Sequence, residues 1–133
     1  MHDDIRDAHM LWTNRHLLEI RRGRALRELA IACFPELEAQ SYEAFSSRSS
    51  YYLIDRPRGD GDQIAKRDAI LKAAFPRIFR CELAHVAIPL DQWPDSEDFE
   101  SFRKYFTWDY VGLMADLGTD PVTTKSVVPD REA

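Results

Sequence analysis

Breaks rich in proline and glycine divide this chain into short segments. They lie at Pro35, at 56–62, at Pro76 and at Pro89. Proline lacks an amide donor and disfavours helical geometry in the residue before it, so helices and strands tend to end at these points. The chain has 133 residues, of which 44% are apolar. That is enough to build one domain around its own core.

The pattern of apolar residues predicts the elements between the breaks. Over 3–34 they recur at helical spacing, which predicts an N-terminal helical segment, either one bent helix or two helices joined near Asn14 or Gly23. The run YYLID at 51–55 lies between turns and predicts a strand. A helix should follow it to about Phe75, with Asp60 or Asp62 as its N-terminal cap. Alternating apolar residues over 78–88 then predict a second, longer strand.

The last third of the chain predicts one more helix. It should begin at Asp95, with an apolar stripe at Phe99, Phe102 and Phe106, and 110–117 is either a third strand or a helical turn. The predicted fold class is α+β: an N-terminal helical segment followed by β-α-β-α-β, forming one small sheet with helices packed on a face. We expect a single globular domain over 1–117 and a partly flexible C-terminal tail over 118–133.

The net charge of the chain limits the kinds of molecule that it is expected to bind. The net charge is −5 and the isoelectric point is about 5.3. This balance disfavours binding to nucleic acid or to an anionic membrane. No apolar run approaches the roughly 20 residues that a membrane-spanning helix needs, and the polar N-terminus is not typical of a targeting peptide. We therefore expect a cytoplasmic protein that binds neither nucleic acid nor membrane.

No motif in the sequence indicates a cofactor, and none indicates a metal. His2, His9 and His16 are seven residues apart, whereas helical metal ligands normally lie four apart. Cys33 and Cys81 are distant from each other and lie in apolar runs, so we expect reduced, buried thiols. We predict no metal site, no cofactor and no disulfide.

Catalysis by Cys81 and His85 also looks unfavourable from the sequence. On the predicted strand the two residues are four apart and thus about 13 Å from each other, which is too far for proton transfer. On a helix they would be neighbours. We therefore predict no catalytic residue, and we lean against an enzyme.

The most distinctive stretch is acidic and aromatic. Residues 91–120 hold eight acidic side chains against two basic ones, together with two of the three tryptophans. Large amphipathic rings among carboxylates suit a surface that meets a basic protein partner. The predicted partner-binding residues are Trp93, Asp95, Asp98, Trp108, Asp109 and Tyr110.

The function expected from these patterns is that of a small acidic protein-binding module. Its most concrete form is an inhibitor or immunity-type protein that neutralises a toxin or an enzyme by direct binding. Two alternatives stay open. One is a small enzyme with a site at the sheet edge, using His85 or the acidic cluster around Asp95 and Asp98. The other is a regulatory homodimer.

Overall fold

The computed structural model describes residues 11–12, 15–111, 115–121 and 123. Over these residues the fold is α+β, with four α-helices. In chain order the elements are β1 (Leu11–Trp12), β2 (Arg15–Arg22), α1 (Arg24–Cys33), α2 (Tyr42–Ser46), β3 (Ser49–Asp55), α3 (Gln63–His85), α4 (Phe99–Tyr105), β4 (Phe106–Val111) and β5 (Ala115–Asp116). Short 3-10 helices lie at Pro35–Ala39 and Leu90–Gln92. The predicted tail over 118–133 falls mostly outside the described residues.

The main sheet has three antiparallel strands in the order β3-β2-β4. Leu18 of β2 lies opposite Tyr52 of β3 and Tyr110 of β4, so these side chains point to the same face. That face packs on the helices, and Leu18 and Ile20 are fully buried. A second, two-stranded ladder pairs β1 with β5.

Aromatic rings form the centre of the core. Phe79 of α3, Phe102 of α4 and Phe106 of β4 are buried, and their ring centroids lie 5.2–5.6 Å apart. Phe75 and the half-buried Phe99 extend the cluster, with centroids 5.1 Å apart. Such offset and edge-to-face pairs are worth about 0.5–1.5 kcal/mol each beyond their buried area. The stripe predicted from spacing therefore lies in the core, although Phe106 belongs to a strand.

Gly23 lies between β2 and α1 and contacts the junction of α4 and β4. Its amide donates to the carbonyl oxygen of Tyr105 at 2.9 Å, at the point where α4 passes into β4. A Cβ atom at this position would lie 3.0 Å from the same oxygen, closer than real Cβ contacts normally come. Glycine therefore lets β2 end and α1 begin directly against the start of β4.

The predicted N-terminal helix is wrong over the described residues up to Gly23. Its positions 15–22 form β2, the central strand of the sheet, and only 24–33 are helical; most of the residues before Arg15 lie outside the description. The seven-residue spacing of Leu11 and Leu18 resembled a helical stripe. The burial that decides the structure has a period of two instead, with Leu18 and Ile20 inward. Because of this strand, the order helix followed by β-α-β-α-β is also wrong.

The predicted second strand is wrong as well. Residues 78–85 continue α3, which passes through Pro76. Proline inside a helix costs about 3 kcal/mol. Leu71, Phe75, Phe79 and Leu83 are spaced four apart and are all buried, so this face packs as a helix and outweighs that cost. The predicted strand at 51–55 is confirmed within β3. Of the two predicted caps, Asp60 and Asp62, the structure has Asp62, which accepts from the Ile64 and Ala65 amides.

A left-handed residue ends α3. Ala87 has a φ of 66°, the amide of Ile88 donates to the Leu83 carbonyl at 3.0 Å, and the amide of Ala87 donates to the Ala84 carbonyl at 3.0 Å. This is the Schellman arrangement, which normally places glycine at the left-handed position. The side chain of Ile88 is buried, so the cap also fixes an apolar residue into the core.

We predict that Ala87→Gly raises the free energy of unfolding by about 0.5–1 kcal/mol. The left-handed conformation costs an L-residue about 1–2 kcal/mol, and the greater freedom of unfolded glycine returns part of the gain. The matched control is Ala84→Gly, which lies inside the helix and should lower the same quantity by about 0.5–1 kcal/mol. Urea unfolding measures both. A loss of stability in Ala87→Gly would contradict the left-handed cap.

Candidate functional site

The structure divides the predicted partner-binding residues among three places. Trp93, Asp95 and Asp98 lie together just before α4. Trp93 is half-buried and its indole Nε1 donates to the Ile88 carbonyl at 2.8 Å. Asp95 accepts from the Glu97 amide at 2.9 Å, and Asp98 accepts from a backbone amide as the N-terminal cap of α4. These two acids therefore have local structural roles, and their role in partner binding stays a prediction.

The other three predicted residues are consecutive on β4, so they cannot share one face. Trp108 and Tyr110 point to the helix-covered side: the Trp108 ring lies 5.3 Å from that of Phe102, and the Tyr110 hydroxyl donates to the Arg67 carbonyl at 3.3 Å. Asp109 points to the opposite side and is exposed. The alternation of a strand, which the sequence reading did not resolve here, explains this division.

The face that carries Asp109 is the most distinctive surface of the described chain. The core helices pack on the other side of the sheet, and Tyr51 and Leu53 are 58% and 56% exposed on this side. We call it the open face. Its side chains are Arg15, Leu17, Glu19, Arg21, Ser49, Tyr51, Leu53, Asp55, Thr107, Asp109 and Val111.

An apolar row crosses the open face. The strand register places Leu17 of β2 opposite both Leu53 of β3 and Val111 of β4, so the three side chains are cross-strand neighbours. Leu53 is exposed, and the other two are half-buried. Tyr51 lies one register step away, opposite Glu19. A large exposed aromatic beside an apolar row is typical of interaction surfaces.

Ion pairs organise the polar part of the open face. Arg21 donates to Glu19 at 2.8 Å and to Asp109 at 2.6 Å, and so bridges two strands. The hydrogen bond to Asp109 and the charge of Glu19 raise the pKa of Arg21. The Tyr51 hydroxyl donates to Glu19 at 3.2 Å, and this bond raises the pKa of Tyr51. The network links side chains of β2, β3 and β4 to one another across the open face.

A buried polar pair connects the sheet to α3. Glu82 is only 2% exposed, and the Tyr52 hydroxyl donates to its Oε2 atom. Its Oε1 atom has no hydrogen-bond partner among the described residues. Burial, followed by the nearby Glu82, raises the pKa of Tyr52. Sequence reasoning missed this pair, since Glu82 was placed on a strand and YYLID was read only as an apolar strand.

Because α3 is helical, Cys81 and His85 lie one turn apart rather than about 13 Å apart. Burial and Glu82 raise the pKa of Cys81, with Arg77 and Arg80 opposing. A raised pKa disfavours the thiolate that a nucleophilic cysteine needs. Within the described part of the chain, no three His, Cys, Asp or Glu side chains are grouped so that they could hold a metal ion.

Comparison of the chain with protein-family models, with curated proteins and with solved structures finds no match. Among the described residues, no helix combines the length and apolar character needed to cross a membrane. The function must therefore be argued from the chemistry of the surfaces themselves.

We predict that Tyr52→Phe lowers the free energy of unfolding at neutral pH by about 1–3 kcal/mol. The change removes the hydrogen bond that Tyr52 donates to the buried Glu82 carboxyl group and keeps the ring in place. Tyr51→Phe is the matched control: it removes an exposed hydroxyl and should cost about 0.5 kcal/mol or less. Chemical denaturation measures both variants. Equal losses would show that the buried hydrogen bond contributes no more to the free energy of unfolding than the exposed one.

The same pair should be visible in the pH dependence of stability. The pKa of Tyr52 is raised in the folded state, whereas in the unfolded chain it is about 10. Below about pH 10 its contribution is fully present; above it the unfolded chain releases a proton that the folded chain retains, so the contribution declines. The stability difference between the natural chain and Tyr52→Phe should therefore shrink from pH 9 to pH 11. A constant difference would contradict the raised pKa.

Proposed function

We propose that this chain is a small acidic protein-binding module, and that the partner docks on the open face of the sheet. The observation that carries the proposal is the row of apolar side chains with the exposed Tyr51 beside it, flanked by charged groups that bond to one another. An inhibitor or immunity-type protein that neutralises an enzyme or toxin is the concrete form of this function.

Charge favours a basic protein as the occupant. Asp55 and Asp109 stand exposed at the margin of the open face, and the face carries three carboxylates against two guanidinium groups. The whole chain has a net charge of −5. Lysine or arginine side chains of a partner can pair with these carboxylates while an apolar side chain contacts Leu53. A second copy of the same chain, which is equally acidic, fits less well.

Tyr51 and Leu53 should supply most of the binding energy. Tyrosine anchors at the centre of an interface typically cost 2 kcal/mol or more when truncated, which is more than about tenfold in affinity. The rim carboxylates should instead affect the rate of association, and this effect should weaken as salt screens the charges.

The test begins with a photo-crosslinking amino acid in place of Tyr51, and in place of Ile64 as the control. Ile64 is 78% exposed, so it is apolar and accessible, but it belongs to α3, whose core residues pack on the other side of the sheet. Both labelled chains are crosslinked in the native host. A protein that is captured by the chain labelled at position 51 but not by the chain labelled at position 64 is then purified, and its complex with this chain is reconstituted.

Surface plasmon resonance with the purified partner gives the decisive measurement. We predict that Leu53→Asp and Tyr51→Ala each weaken binding by tenfold or more, while Ile64→Asp leaves it unchanged. Equal effects at all three positions, or none, would sink the proposal. Loss of binding in Trp93→Ala alone would move the site to the loop before α4. A concentration-dependent dimer of the isolated chain, abolished by Leu53→Asp in sedimentation experiments, would make a second copy the occupant.

A further inference from the structure

A cavity of about 400 Å³ lies on the helix-covered side of the sheet, near the end of α3. Its lining combines polar side chains with apolar walls: Arg22, Leu37, Gln40, Phe45, Arg48, His85 and Val86. Ligand pockets commonly have volumes of about 300–1,000 Å³ and place polar groups beside apolar walls. The open face lies on the other side of β2, so this site is independent of the protein-binding surface proposed above.

Two arginines converge on this cavity without a carboxylate partner. None of the ion pairs between described residues involves Arg22 or Arg48. Arg22 is half-buried, with its guanidinium carbon 5.1 Å from the centre of the Phe45 ring. Burial lowers its pKa, and the positive charge of Arg48 lowers it further. Two like charges therefore lie close together, and the attraction of Arg22 to the buried carboxylate of Glu82 offsets only part of the resulting cost.

An anion between the two guanidinium groups would offset this repulsion. Guanidinium donors match the two oxygens of a carboxylate or a phosphate, and the bonds strengthen where water is partly excluded. The charge of the cavity favours a ligand with a single negative charge. Glu82 already attracts Arg22 from within the core, and this reduces the positive charge that the cavity presents to a ligand.

The walls add a requirement for an apolar body. Phe45 is buried, and Leu37 and Val86 are half-buried and pack against the core, so this side of the cavity is fixed and apolar. Inorganic anions would leave that surface in contact with water. A ligand with a hydrocarbon or aromatic body would cover it.

We propose that this cavity binds a small organic carboxylate, with the carboxylate held between Arg22 and Arg48 and the apolar body against Phe45 and its neighbours. Gln40 and His85 stand at the same cavity and can bond to polar substituents of such a ligand. Arg48 is exposed, so it can be exchanged with little risk to the fold.

The test uses 2-naphthoate as the probe, with 2-naphthamide as its neutral analogue and inorganic phosphate as a bare anion. Binding is followed by chemical-shift changes of the backbone amides and by calorimetry. We expect saturable binding of 2-naphthoate with a dissociation constant in the millimolar range or below, with shifts at Phe45 and Val86. We expect the amide to bind at least tenfold more weakly and phosphate to compete poorly.

Variants assign the binding to this cavity. Arg48→Gln should weaken binding of 2-naphthoate by tenfold or more, while Arg58→Gln, an exposed arginine in the turn before α3, should leave it unchanged. Arg22→Gln serves as a second variant, read only after its fold is verified by its amide spectrum. The proposal is overturned if 2-naphthoate shows no saturable binding, or if 2-naphthamide or phosphate binds as tightly as 2-naphthoate. It is also overturned if Arg48→Gln binds 2-naphthoate as tightly as the natural chain does.

Discussion

The central position of β2 is the constraint on which the rest of the structure depends. Hydrogen bonds tie it to β3 on one side and β4 on the other, so its register fixes both neighbours. Its alternation directs Leu18 and Ile20 into the core and Glu19 and Arg21 to the open face. Slipping the strand by one residue would place charges in the core and the core residues in water, which makes the register strongly specified.

The same strand connects the two proposed sites. Arg21 and Arg22 are adjacent in sequence but point to opposite sides of the sheet, one to the open face and one to the cavity. Arg21 lies between two carboxylates that hold its charge, whereas Arg22 rests on an aromatic ring with no carboxylate bonded to it. This contrast is the physical reason for assigning Arg21 to a preorganised surface and Arg22 to the recognition of an anion.

The segment 15–28 contains five arginines and is basic in sequence, but the fold directs these side chains to different surroundings. Arg15 and Arg21 take exposed carboxylates on the open face. Arg24 lies 4.0 Å from the centre of the Tyr42 ring, and Arg27 donates to the Gln40 carbonyl at 2.8 Å. Each guanidinium thus has a different neighbour, and the described structure contains no continuous basic stripe along this segment. A contiguous stripe is what a phosphate backbone would require.

How much of the fold could be predicted depended on whether the signal was local. The strand at 51–55 and the cap at Asp62 follow from short-range chemistry, and both were predicted correctly. The helix through Pro76 could not be predicted from the sequence. The helix-breaking effect of proline is local, whereas the packing that overrides it comes from α4.

The candidate site was harder to predict for the same reason. Composition indicated the acidic, aromatic last third, and Asp109 does lie on the open face. The main aromatic anchor there is Tyr51, which sits about sixty residues earlier in the chain and was read only as part of an apolar strand. Register, not composition, brings Tyr51 and Asp109 to opposite flanks of Glu19. Identifying the surface requires the order and register of the strands, which the spacing of residues in the sequence does not reveal.

The buried Glu82 shows how the core and the cavity depend on each other. Its Oε2 atom is satisfied by Tyr52, while its Oε1 atom has no partner among the described groups and its charge acts on Arg22. A buried carboxyl with an unsatisfied oxygen is costly, and packing with a leucine in its place would be expected to cost less. Its negative charge attracts the guanidinium group of Arg22, which lines the cavity, and its Oε2 atom accepts from Tyr52 of the sheet. One buried carboxyl group on α3 therefore interacts both with β3 and with a wall of the cavity.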